Sequence, residues 1–100
     1  MSVSAQSIGD GKTMRIQISE RFDFNIHKDL RNAYKDNPSD YNYIVDLKNA
    51  SYMDSSALGM LLQLREHAGG SKDAVTISNA DTNIKEILKI ANFDKLMMVE

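Results

Sequence analysis

Hydrophobic positions recur with two different periods along this chain, and the places where the period changes mark out its elements. Met14, Ile16 and Ile18 alternate with Thr13, Arg15, Gln17 and Ser19, the spacing of a strand with one buried face. Residues 2–8 follow a weaker pattern compatible with an edge strand. Gly9-Asp10-Gly11-Lys12 between the two reads as a hairpin turn, because glycine supplies the positive φ such turns need. From about residue 25 the period lengthens: Ile26, Leu30, Ala33 and Tyr34 share one helical face, and Asp36-Asn37-Pro38 ends the helix. Residues 41–47, rich in aromatic and β-branched side chains, read as a central strand running toward Asp54-Ser55-Ser56. A second helix follows over residues 55–67 and stops at Gly69-Gly70. Residues 74–78 make a short buried strand. Asp81 or Thr82 caps a third helix with Ile84, Ile87, Leu88 and Ala91 on one stripe, Asn92 is its left-handed stop, and residues 96–99 form a last strand.

The resulting order, β-β-α-β-α-β-α-β, predicts an α/β fold: a mixed sheet whose later strands are parallel, with helices packed mainly on one face. Ligands and partners of such sheets meet loops beyond the carboxyl ends of the strands, which is where Asp54-Ser55-Ser56 lies. The length of 100 residues with 42% hydrophobic positions fits one domain spanning 1–100.

Charge and composition narrow the functions open to such a domain. A net charge of −2 argues against a nucleic-acid partner, which calls for a basic excess. The absence of cysteine excludes disulfides, thiolate metal sites and cysteine nucleophiles, and fits a reducing compartment. No apolar run reaches membrane-spanning length and the first ten residues lack an apolar signal core, so the expected location is the cytoplasm. His27 and His67 have no second ligand at metal-binding spacing and read as surface residues, and the charged run from His27 to Lys35 reads as the solvated face of the first helix. No metal or cofactor is expected.

The chemistry concentrates at Asp54-Ser55-Ser56. Asp54 is placed to cap the second helix, and its two neighbouring hydroxyls fall in the first turn, where free N–H groups and the helix dipole favour a phosphate. Leu58, Leu61 and Leu62 form the stripe expected to pack on the sheet; Met60 and Leu64 point to a neighbouring face that either widens the core or receives a partner. Gly59 is expected to allow close packing, at a cost of about 1 kcal/mol in helix propensity.

The segment Ser51-Tyr52-Met53-Asp54-Ser55-Ser56-Ala57-Leu58-Gly59, following Ile44-Val45-Asp46-Leu47, resembles the signature of STAS domains, particularly the bacterial anti-sigma factor antagonists. The likeness extends over nearly the whole chain, including the β-β-α opening, Asp23, the Gly69-Gly70 break and Ala91-Asn92-Phe93-Asp94-Lys95-Leu96. It implies a partner switch without enzymatic activity: the unphosphorylated domain binds an anti-sigma factor or related serine kinase, phosphorylation of Ser55 (alternatively Ser56) ends the binding, and a serine phosphatase resets it. The partner-binding positions are then Asp23, Asp54, Ser55, Ser56, Ala57, Gly59, Met60 and Leu64. Where the family carries a Gly-Glu-Leu-Asp type segment, this chain has Glu20-Arg21-Phe22-Asp23, retaining the Asp and changing the Gly-Glu pair. Many family members also carry a further helix after the last strand, which this sequence does not show, so part of the sheet or helix layer is expected to be less covered. The expected state is a monomer or weak dimer, since an exposed first strand offers an edge.

Competing readings have less support. A serine hydrolase needs a histidine near the turn and has no Gly-x-Ser-x-Gly motif here. A phosphoacceptor receiver, suggested by Asp46 and Asp54, needs more βα units. A STAS binding subunit of a lipid-transport or nucleotide-sensing complex would lack the phospho-switch, and the chain has no Gly-x-x-x-x-Gly-Lys loop.

Overall fold

The computed structural model describes residues 2–9 and 11–100. A sheet in the order β1-β2-β4-β6-β7 forms the centre, from β1 (Val3–Ile8), β2 (Thr13–Ile18), β4 (Asn42–Asp46), β6 (Val75–Ser78) and β7 (Met98–Val99). β1 pairs antiparallel with β2, and every later pairing in this sheet is parallel. Helices α1 (His27–Tyr34), α2 (Ser55–His67) and α3 (Thr82–Ile90) connect the parallel strands. This is the expected α/β architecture, and α2 has the expected bounds.

The period-2 pattern explains the layering. Ile16, Ile18, Tyr43, Val45, Val75 and Ile77 are all but fully buried, and they meet Leu30, Leu61, Leu64 and Leu88 from the three helices. The alternate face carries Arg15, Gln17, Ile44, Asp46 and Thr76. Helix ends follow local chemistry. Asp81, rather than Thr82, caps α3 by accepting the Ile84 N–H at 2.8 Å. Asn92 has φ 62°, the expected left-handed stop. After α2 the Gly70 N–H donates to the Arg65 carbonyl and the Gly69 N–H to the Glu66 carbonyl, with φ of 95° and 81° at Gly69 and Gly70; this crossed pair of bonds closes a helix with glycines just past its end.

The first hairpin has Gly9 at φ 64° and Gly11 at φ 83°, while Asp10 of the expected turn lies outside the described residues. The central strand is shorter than expected, and short 3-10 turns at Phe24–Ile26, Lys72–Ala74 and Phe93–Lys95 take the flanks of neighbouring elements. The larger difference is a pair of unanticipated strands, β3 (Glu20–Phe22) and β5 (Ala50–Met53), which pair in parallel as a separate two-stranded sheet. Both are too short to show a period. Glu20 sits at φ 67° beside the register shift between Glu20 and Arg21, a left-handed backbone that favours glycine. A glycine, which the resembled family segment has at this position, would adopt that backbone without the strain glutamate bears.

Asp46 is a buried charge, 3% exposed, on the sheet face away from the helices. Arg15 binds it through Nε at 3.2 Å and through Nη2, Asn79 Nδ2 donates at 3.0 Å and the Lys48 N–H at 3.0 Å. Burial pushes its carboxyl up, but the bonds from Arg15, then Asn79 and Lys48, outweigh that and hold the pKa down at about 2 against an ordinary 3.8. Because the folded value is the lower one, the stabilisation is complete above the ordinary value and is lost as pH falls through 3.8 toward 2. Urea denaturation of the wild type should therefore lose about 2 kcal/mol more between pH 5 and pH 2 than Asp46→Asn does. Equal losses would remove Asp46 from the acid transition.

Candidate functional site

β5 ends at Met53 and α2 starts at Ser55, leaving Asp54 as the cap with extended backbone. Its Oδ1 accepts from the Ser56 N–H at 3.0 Å, the Ala57 N–H at 3.2 Å and the Ser56 hydroxyl at 2.6 Å. The Ser56 hydroxyl bond, opposed by slight desolvation and aided by the two N–H groups and the charge of Arg21, holds the Asp54 carboxyl below the usual range. Asp54 engages the Ser56 and Ala57 N–H groups, as its expected capping role requires, so a phosphate would have to share them. The two serines are not equivalent: Ser55 is exposed, whereas Ser56 is half-buried with its hydroxyl committed.

The second half of the site comes from the segment after β2. Parallel pairing places Phe22 opposite Met53, and the Asp54 N–H donates to the Phe22 carbonyl at 3.3 Å, so Asp23 and Asp54 leave the paired strands side by side in register. Asp23 is buried; Oδ1 accepts the Asn25 N–H at 3.0 Å, capping the short turn, and Oδ2 accepts from Arg21 Nε at 3.2 Å. The Arg21 guanidinium lies 4.0 Å from the centre of the Tyr52 ring, a cation–π stack on the site's exposed side. Phe24 (65% exposed), next to Asp23, and Tyr52 add apolar surface beside it, and Leu62 is exposed further along α2.

Not all the expected binding positions reach that surface. Ala57, Met60 and Leu64 are buried in the core, so their side chains are unavailable to a partner. Leu62, expected to pack on the sheet, is 38% exposed and Leu58 is half-buried. The sheet meets α2 along Ala57, Leu61 and Leu64, a stripe rotated from the one its leucines suggest. Gly59 is exposed, and a methyl group there would meet nothing within 4 Å, so no close packing requires glycine. The histidines lie elsewhere: His67 is half-buried, its Nε2–H donating to the Asn37 carbonyl at 2.8 Å and its ring edge-on to Tyr34, and His27 stacks on Phe24. Neither ring bonds the serines, so no Ser-His-Asp arrangement forms. Among the described residues no group of three or more His, Asp or Glu side chains is placed to hold a metal, and no helix is long and apolar enough to cross a membrane.

Arg21, Phe24 and Tyr52 border the Asp23–Asp54 turn and were not among the candidate positions that sequence reasoning picked out. The aromatic positions flanking Asp23 and Asp54 were the available signal, but their exposure depends on the β3–β5 pairing.

The strand-turn-helix geometry and sheet order agree with comparisons to known proteins. Residues 7–100 match the family model described as "Mlab, STAS domain". A STAS-domain containing protein of Pseudomonas aeruginosa strain UCBPP-PA14 is 45% identical over 100 residues, covering 99% of each chain. The chain belongs to the STAS family. Its fold is that of the anti-sigma factor antagonist SpoIIAA in its unphosphorylated form, with a TM-score of 0.71 at 14% identity over 98% of this chain and 86% of that one. The Bacillus cell fate determinant SpoIIAA in its phosphorylated form gives a TM-score of 0.68 at 16% identity, over 98% and 90%. An uncharacterized protein of the DUF3478 family with a SpoIIAA-like fold, from Shewanella loihica PV-4, gives 0.61 at 10% identity, over 98% and 81%.

Substitutions along α2 separate core from surface. Leu64→Ala should cost about 2–5 kcal/mol in chemical denaturation, while Leu62→Ala should stay within about 0.5 kcal/mol. Gly59→Ala should stabilise the domain by up to about 1 kcal/mol, since it restores helix propensity into open space; destabilisation would mean that the backbone there needs glycine.

Proposed function

We propose that the protein is a phosphorylation-controlled partner-switching regulator of the anti-sigma factor antagonist type. Unphosphorylated, it binds an anti-sigma factor or related serine kinase through the exposed surface around Asp54, Ser55 and Ser56, flanked by Phe24, Tyr52 and Leu62. Phosphorylation of Ser55 ends that binding, and a serine phosphatase restores it. The observation that carries this reading is the exposed Ser55 hydroxyl at the first position of α2, beside an Asp54 carboxylate pinned by its own cap bonds. The family membership and the SpoIIAA fold support it.

The cap bonds also refine the mechanism. A phosphate adds roughly −1.5 to −2 charge. With Asp54 already occupying the Ser56 and Ala57 N–H groups, the phosphate on Ser55 stays outward and hydrated, next to a like charge. The core beneath is untouched, so the fold survives. A partner must then desolvate two adjacent anions to dock on the apolar rim, and binding is lost. The exposed Ser55 is favoured over Ser56, whose hydroxyl would have to leave Asp54 to react.

Incubation with cytoplasmic extract and ATP, followed by intact mass and peptide fragmentation, should find one phosphate on the peptide spanning 54–65. Ser55→Ala should abolish it and Ser56→Ala should not. Against the cognate kinase-like partner, Ser55→Ala should bind as wild type and Ser55→Asp at least about tenfold more weakly, with unchanged circular dichroism. Undiminished phosphorylation of Ser55→Ala would refute the assignment to Ser55. No phosphorylation, together with co-purification in a membrane complex, would favour a STAS binding subunit that has no phospho-switch.

A further inference from the structure

The five-stranded sheet ends in two edges of unequal length. β7 has two residues and β1 has six, and β1 pairs with β2 alone. The bond from the Ser19 N–H to the Ser2 carbonyl, at 2.8 Å, fixes which residues of β1 face β2. Hydrogen-bonded and non-hydrogen-bonded pairs alternate along an antiparallel ladder, so Ser4 opposite Gln17 and Gln6 opposite Arg15 bond across it. The N–H and C=O groups of Val3, Ala5 and Ser7 therefore point outward from the edge.

Strand edges of this length ordinarily carry a charge, a proline or a bulge that discourages further pairing. β1 has none of these. Its register with β2 runs from Val3 to Ile8 without a shift, and residues 2–8 contain no proline and no charged side chain, in a chain with 26% charged residues. Ser4, Ala5, Gln6 and Ser7 are all exposed, so no helix or loop covers the edge.

The same features select the occupant. An uncharged strand of mostly small side chains offers no counter-charge to a charged segment, whereas a second copy brings an equally neutral strand and no like charge. The register follows from the outward groups. With Ala5 on a two-fold axis, Ala5 faces its own copy and Val3 faces the second copy's Ser7, so every outward residue is paired. A centre on Ser4 or Gln6 would carry Ser7 or Val3 past the end of the facing strand. On the face away from the helices, Gln6 then meets the second copy's Ser4.

We propose that β1 is a homodimerisation edge, at which two copies pair antiparallel about a two-fold axis at Ala5 and join their sheets into one. Six residues span about 20 Å at roughly 3.4 Å per residue. So narrow a contact buries less than the roughly 1,200 Å² of a stable interface, and the dimer is weak and concentration-dependent. β1 contributes no residue to the surface around Asp54 and Ser55, so the pairing is independent of the partner switch.

Sedimentation equilibrium of the full chain from micromolar to millimolar concentration tests the assignment. The wild type should pass from monomer to dimer within that range. Ala5→Lys and Ala5→Glu, which set like charges opposite each other across the axis, should each weaken dimerisation at least about tenfold, with unchanged thermal unfolding. An equal mixture of the two variants should restore it, because opposite charges then face each other. In a mixture of differently labelled wild-type copies, a nuclear Overhauser contact between Ser4 Hα and the second copy's Gln6 Hα should mark the register. The proposal is overturned by a wild type that stays monomeric throughout, by Ala5→Lys dimerising as wild type, or by a mixture that associates no better than either variant alone.

Discussion

Parallel pairing of two very short strands, β3 and β5, is the constraint on which the rest of the candidate site depends. Its residues come from segments about thirty positions apart, and no continuous helix or long strand joins them. Phe22 and Met53, both buried, anchor the pair from below, and the bond from the Asp54 N–H to the Phe22 carbonyl closes it at the end where the site begins. Without that register Arg21 would not lie over Tyr52, and Asp23 would not emerge beside Asp54. The left-handed Glu20 is the local conformational cost of entering the pairing from β2.

Asp54 carries two duties that are physically linked. As a cap it satisfies N–H groups at the start of α2, and in doing so it places a fixed negative charge next to the exposed Ser55. An uncharged cap would engage the same N–H groups but place no carboxylate beside Ser55. Here the bonds that stabilise the helix also hold that carboxylate in place, so under the proposed switch a phosphate on Ser55 would meet a like charge. Arg21 is the nearby counter-charge, and it stands where the family pattern has glutamate. That inversion changes the sign of the charge on this surface while leaving the strand pairing intact.

Elements with a long, regular period were legible in the sequence: β2 from Met14, Ile16 and Ile18, and α2 and α3 from their capping and stop signals. β3 and β5, with three and four residues, were not, because so short a segment satisfies strand and loop patterns equally. The apolar breadth of α2 was visible, but its orientation was not. Ala57, Met60 and Leu64 turn inward and Leu62 outward, an outcome set by how the helix rests on Tyr43, Val45 and Ile77 rather than by its own composition. His27 and His67 likewise read as isolated surface residues until the packing of α1 against α2 brought them to one groove.

By itself, the sequence determined the alternating architecture, the Asp54 cap and the presence of paired hydroxyls behind it, because each rests on neighbours along the chain and on hydrogen bonds that local geometry dictates. Only the tertiary structure decided which hydroxyl is free, which face of α2 is core, and that Arg21, Tyr52 and Phe24 border the same turn. Those outcomes depend on contacts between distant segments, where burial and strand register choose among side chains whose local preferences are nearly equal.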